Sequence, residues 1–221
     1  MSATLDFSVY CADVGRVAPQ PAKNKFAWTG WRASAAGREV LSGRYPEELA
    51  EAVTADLGRG TKVALGFECP LFVPLDADHY SITKGRAGEG RRPWSAGGGA
   101  SALAAGLAEV TWILLRIKEQ MIRKNWSAPP VYLEAEEFQT TSRGLLLWEA
   151  FLSEQPEEIA DAQIAERAVY AFSSAWPNLD AGDPFAAEER PVFSVAGAAI
   201  LRAGFSDDVG LLFRKGVAVK G

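Results

Sequence analysis

The chain has 221 residues, 48 % of them hydrophobic and 23 % charged, which excludes a disordered or fibrous polymer. That length suits one domain, expected over residues 1–221 with a core at about 5–175 and a C-terminal extension over 177–221. The formal net charge of −5 excludes a protein that merely coats nucleic acid, so any phosphate contact needs a local basic patch.

Residues 5–12 read as a buried strand that ends at Asp13-Val14-Gly15-Arg16. Residues 25–33 alternate with period two and read as a second strand, with Trp28 and Trp31 on opposite faces. Ala36-Gly37 marks a turn, and Glu39-Val40-Leu41 a short third strand. A helix follows. Pro46, Glu47 and Glu48 occupy its first turn, Leu49, Val53 and Leu57 form its apolar stripe, and Gly58 and Gly60 end it. Residues 62–68 are continuously apolar up to Glu68, as in a central strand covered on both faces.

Residues 76–100 are polar, glycine-rich and without period, and a loop that long is commonly functional or mobile. Ser101 to Lys124 reads as the longest helix, with Leu103, Leu107, Val110, Leu114, Ile117 and Met121 on one stripe. Pro129-Pro130 stops it, and residues 131–135 read as a strand. Gly144 to Ser153 reads as a short helix and Ile159 to Trp176 as a longer one. Residues 193–203 read as helical, and Val217 to Val219 as a last strand. The fold class expected is therefore α/β, with three antiparallel N-terminal strands, then parallel strands and flanking helices. That order is also the order of the RNase H-like fold.

Several residues receive plain readings. Cys11 and Cys69 lie in apolar segments and are expected as buried, reduced thiols. His79 is the only histidine, so a zinc site or a histidine-based triad has little to draw on, and a surface position is expected for it. Trp112, Trp148 and Trp176 are expected in the core. The longest apolar run, Val110 to Leu115, contains Thr111 and meets Arg116, so no membrane span is expected. The first residues show no basic and apolar leader, and a cytoplasmic location is expected.

Four acids stand where polar groups are least expected. Asp13 ends the first strand and Glu68 the central one, Glu134 closes the later strand, and Asp161 opens a helix. Strand ends in an open α/β sheet converge on one crevice. Carboxylates gathered there repel one another, and burial raises the cost of each charge, so a cation or protons must neutralise them. Hard divalent cations prefer oxygen ligands, and a pair of them activates water and stabilises the leaving oxygen in phosphodiester cleavage. Each acid also has a structural role open to it. Asp13 could form an Asx turn before Gly15, Asp161 could complement a helix dipole, and Glu134, Glu136 and Glu137 could form a solvated face.

Asp13-Val14-Gly15-Arg16, Gly66-Phe67-Glu68-Cys69-Pro70-Leu71-Phe72-Val73-Pro74, Val131-Tyr132-Leu133-Glu134 and Asp161-Ala162 together resemble the spaced motifs of a family of uncharacterised proteins predicted to be RNase H-like nucleases. The pattern of Asp13, Glu68 and Asp161 also resembles that of RuvC-type resolvases. The resemblance spans roughly residues 5–175. It implies Mg²⁺ or Mn²⁺ as cofactor, with Asp13, Glu68, Glu134 and Asp161 as catalytic metal ligands of a two-metal nuclease. Glu68 stands where many family members have Asp, which keeps the carboxylate but alters its reach.

Residues 84–94 hold Lys84, Arg86, Arg91 and Arg92 against Glu89 alone, followed by Trp94. Arginine forks match phosphate and an indole stacks on a base, so Arg86, Arg91, Arg92 and Trp94 are candidates for gripping nucleic acid. The other reading is a solvated loop paired with surface carboxylates. Gly97-Gly98-Gly99-Ala100-Ser101 could offer anion-binding amides but lacks the Lys-Ser/Thr ending of a P-loop. Two further functions stay open. One is a non-catalytic binding or assembly module of the same fold. The other is an actin-like or sugar-kinase-like phosphotransferase, which usually carries two copies of a core for which this chain has room once.

Overall fold

The computed structural model of the protein describes residues 5–34, 37–90, 93–151 and 161–221, without the side chains of residues 161 and 162. In chain order the elements begin with β1 (Ser8–Asp13), β2 (Ala27–Ser34), β3 (Gly37–Gly43), α1 (Pro46–Gly58), β4 (Val63–Phe67), β5 (Phe72–Pro74) and α2 (Gly97–Arg123). They continue with β6 (Val131–Tyr132), α3 (Ala135–Thr140), β7 (Leu145–Phe151), α4 (Asp161–Ala175), β8 (Val192–Ser194), α5 (Val195–Arg202) and β9 (Val217–Lys220).

The main sheet runs β3-β2-β1-β4-β7-β6, and β9 also pairs with β7. The first three strands are antiparallel; β4 is parallel to β1, and β7 to β4. The fold is therefore α/β, with a mixed sheet flanked by helices. β6 pairs with the start of β7 and β9 with its far half, so these two short strands share one edge end to end. The C-terminal segment thus contributes to the sheet through β9, and β8 pairs separately with β5.

Alternation along each strand divides the core between the two faces. Tyr10, Leu65, Phe67, Leu145 and Leu147 pack beneath α1, α2 and α5. Val9, Cys11, Ala64, Leu146 and Trp148 pack beneath α3 and α4. Trp28 belongs to the first face, while Trp31 packs on the second, as period two requires. Both cysteines are buried free thiols.

In α1, Pro46 opens the helix and the Glu48 carboxylate accepts from the Tyr45 amide at 3.2 Å, while Leu49, Val53 and Leu57 are fully buried. α2 begins at Gly97, four residues earlier than its stripe suggests, and Leu107 on that stripe is 49 % exposed. By length and composition alone α2 is apolar enough to cross a membrane, with a mean hydropathy of 1.5. Counting unbroken runs overlooks it, because glycine, serine, threonine and Glu109 break its leucines, isoleucines, valine and alanines into short stretches. Its Val110, Ile113, Leu114, Ile117 and Met121 are core residues here.

Three expectations need correction. Residues 144–153 are not a helix: Leu145–Phe151 form β7, a central strand buried on both faces. The strand expected over 131–135 is only Val131–Tyr132, and the chain turns at once into α3. Trp112 lies outside the core, 39 % exposed with the Arg116 guanidinium 5.3 Å from its ring. Trp148 is fully buried and faces Gly66 across the β4–β7 register. A β-carbon at residue 66 would come within 2.3 Å of that indole, so only glycine fits.

Candidate functional site

Parallel strands β1, β4 and β7 end on the same side of the sheet, and a cavity of about 780 Å³ opens there. Asp13, Glu68, Glu149, Arg86 and Glu89 line it, together with glycines 97–99. The ladder places the first two acids side by side. Ala12 pairs with Phe67, and the Glu68 amide donates to the Ala12 carbonyl at 2.8 Å, so Asp13 and Glu68 are the next residues on adjacent strands. Both are half-buried. Between the strands, burial pushes the Cys11 thiol well up, and the charges of Glu68 and Asp13 push it further. Cys69 is raised in the same way by burial and then by Glu149, Glu109 and Glu68. Neither thiol is an accessible nucleophile.

The third strand end is organised differently. Glu149, which sequence reading missed inside a supposed helix, is buried and level with Phe67. Its Oε2 accepts from the Leu71 amide at 2.9 Å and from Arg86 Nη1 at 2.8 Å. Arg86 also binds Glu89 through Nε and Nη2, and its guanidinium lies over the Phe185 and Phe72 rings at 3.8 and 4.8 Å. Burial pushes the Glu149 carboxyl up, while Arg86 and the Leu71 amide pull it back. Burial lowers the Arg86 pKa, but Glu149 and Glu89 outweigh that and leave it raised.

Arg86 is therefore not the phosphate-gripping arginine expected of the loop. Its donors are spent inside the protein, with the side chain 1 % exposed. The surrounding loop is docked rather than open. Glu188 accepts from the Ala87 amide at 2.8 Å, and Arg190 donates to the Gly85 carbonyl at 2.8 Å. Gly88 adopts φ +89°, and a β-carbon there would strike the Pro184 carbonyl. Trp94 Nε1 donates to the Lys84 carbonyl at 3.2 Å, closing the loop on itself. Arg91 and Arg92 lie outside the described residues. His79 is exposed, its ring tilted against that of Tyr80 with centroids 3.9 Å apart.

Glu134 is not brought to the cavity either. β6 pairs only with the first residues of β7, so the chain leaves the sheet before its carboxyl edge. Glu134 then precedes α3, 53 % exposed and 3.5 Å from Arg214. Asp161 begins α4, and Ile164 one turn later lines the cavity, but the Asp161 side chain lies outside the described residues.

Glu109 on α2 is a further acid missed in the sequence. Its Oε2 accepts from the Gly15 amide at 3.2 Å, and burial raises its carboxyl to about 7. The helical spacing Ala102, Ala105, Glu109 was its only signal, since the first two line the cavity. The same helix begins at the cavity wall with Gly97, Gly98 and Gly99, and Ala96 provides no side-chain cap. Its first-turn amides carry the positive end of the helix dipole.

Asp13 and Glu68 offer hard oxygen donors, and one or two protein carboxylates are what Mg²⁺ commonly takes. Among the described residues no group of three or more His, Cys, Asp or Glu is placed to hold a metal. Of the acids lining the cavity, Glu149 is already paired with Arg86. Comparison with protein families, curated proteins and solved structures gives no match for this chain.

Proposed function

We propose that the chain is an RNase H-like domain that hydrolyses phosphodiester bonds, with Mg²⁺ or Mn²⁺ held by Asp13 and Glu68. The observation that carries this reading is their placement. The two carboxylates end adjacent parallel strands and line one cavity, which the uncapped start of α2 also borders. The strand order, an antiparallel β3-β2-β1 followed by parallel β4 and β7, supports the fold assignment. By the motif resemblance, Asp161 at the start of α4 completes the ligand set.

A bound divalent cation would polarise the phosphodiester and lower the pKa of the attacking water. The chain's own residues supply the rest. Asp13 and Glu68 hold the cation, and the amides of residues 97–99 face the phosphate oxygens. Arg86 keeps Glu149 neutralised, so that the β7 end adds no repulsion to an anionic substrate.

The test is Mn²⁺-dependent cleavage of labelled single-stranded, duplex, hybrid and junction substrates by parent and Asp13→Asn. Expected is a loss of more than about 100-fold, larger than the loss of a residue that only orients a ligand would cause. Equal rates remove Asp13 from the mechanism. The Arg86–Glu149 pair favours a second reading, a binding module without chemistry, because it leaves fewer carboxylates for cations. Calorimetry separates the two: no heat with millimolar Mn²⁺ supports the module.

A further inference from the structure

From Val14 to Arg38 the chain runs 25 residues without an Asp or Glu and carries five basic residues, in a protein of net charge −5. Two of the five are engaged within the fold. Arg32 binds Asp56 at 2.9 Å and Glu39 at 3.3 Å, and the Arg38 guanidinium lies 4.8 Å from the Trp31 ring. Arg16, Lys23 and Lys25 are exposed and form no ion pair among the described residues.

These three lie on a folded strap between β1 and β2. The Lys25 amide donates to the Arg16 carbonyl at 2.8 Å, and a short 3-10 turn at Pro21–Lys23 makes the tip. Asn24 staples the strap from inside. It is 2 % exposed, its Oδ1 accepts from the Ala18 amide, and its Nδ2 donates to the Phe26 and Arg44 carbonyls. Arg44 answers by donating from Nη2 to the Asn24 carbonyl at 3.0 Å, which brings a fourth basic side chain onto the strap. The nearby Glu48 carboxylate is taken up by the backbone amides of Arg44 and Tyr45. Like charges are thus held together by the hydrogen bonds of Asn24. The strap starts at the cavity itself, since Gly15 and Arg16 line it beside Asp13.

We propose that Arg16, Lys23, Lys25 and Arg44 form the track on which the phosphates of a nucleic-acid strand lie as it runs from the Asp13–Glu68 cavity. The choice of a linear polyanion rests on the hydrolase reading above, because it extends past a phosphate seated in the cavity. Phosphate contacts of this kind position the strand without reading its sequence. Such a track also reconciles an acidic protein with an anionic partner, because it concentrates positive charge only at the cavity mouth.

The experiment reads binding without metal, by anisotropy of fluorescein-labelled single-stranded and duplex DNA and RNA in EDTA across a KCl series. The parent is expected to bind with log K falling linearly with log salt. Arg16→Gln/Lys23→Gln/Lys25→Gln should lose about tenfold or more in affinity at low salt, and its slope should shallow by about 0.7–0.9 for each contact removed. Its far-UV spectrum should match the parent's. Arg202→Gln, an exposed base on α5, should leave binding unchanged. A triple variant with the parent's affinity and slope overturns the track, as does a parent that binds no nucleic acid. Equally tight, strap-dependent binding to anionic vesicles overturns the choice of partner. A parent that binds through the strap yet cleaves nothing sinks the hydrolase and leaves the track standing.

Discussion

Glu68 and Glu149 stand at the ends of neighbouring parallel strands, one residue apart in register, and have been given opposite surroundings. Glu68 is half-buried at a cavity that it shares with Asp13. Glu149 is buried under the Leu71 amide and the Arg86 fork. A carboxylate at a strand end is therefore not yet a ligand. What matters is which positive group answers it, and on β7 that group is Arg86. Glu109 shows a third answer. Half-buried against the Gly15 amide, and in no ion pair among the described residues, its carboxyl is raised by burial to about 7.

The largest effect is expected from breaking the β7 arrangement. Arg86→Ala leaves Glu149 and Glu89 buried without their cation, a change that costs about 3–5 kcal/mol when one partner of a buried pair is removed. Urea unfolding should show it as a lowered midpoint. Adding Glu149→Gln should recover part of the loss, because the remaining buried charge at that position is gone. A loss below about 1 kcal/mol would mean that Arg86 reaches water and that Glu149 resembles Glu68 after all.

The contrast between these strand ends also separates the legible residues from the hidden ones. Residues 62–68 and 145–151 carry the same signature, a continuous apolar run with one glutamate near its end. Pro70 marks the first run as a strand. The second is rich in leucine, a good helix former, and a run without period fits either state. Only its position beside β4, with helices on both faces, decides it. Asp13 and Glu68 were legible because strand order alone makes their ends adjacent. The partner of Glu149 was not, since Arg86 is 63 residues away and reaches it through a loop docked on the C-terminal segment. Glu134 misled for the opposite reason. A run of apolar residues ending in an acid predicts a strand but not its length, and β6 stops after two residues.

An intermediate effect is expected at Glu109. Its folded carboxyl, at about 7, lies above the ordinary 4.5, so the folded state keeps a proton that the unfolded chain gives up. Its contribution to stability is fully present below about pH 4.5 and is lost as pH rises through about 7. Glu109→Gln retains an oxygen for the Gly15 amide and cannot ionise. The melting temperature of this variant should exceed the parent's by a few degrees at pH 8 and match it near pH 5. Identical pH profiles would place Glu109 in water and remove the third kind of neutralisation.

The smallest effect belongs to Glu134, the acid that the motif pattern put in the ligand set. It is 53 % exposed, and Arg214 approaches it no closer than 3.5 Å, a geometry in which water screens most of the attraction. Glu134→Gln should shift unfolding by less than about 0.5 kcal/mol, the usual range for an exposed pair. Its Mn²⁺ isotherm should overlay the parent's, whereas Asp13→Asn and Glu68→Gln should each weaken the heat. A lost isotherm in Glu134→Gln would require the α3 turn to swing past β7 into the cavity. The carboxyl edge would then be built from four acids, and the contrast between the surroundings of Glu68 and Glu149 would no longer describe the site.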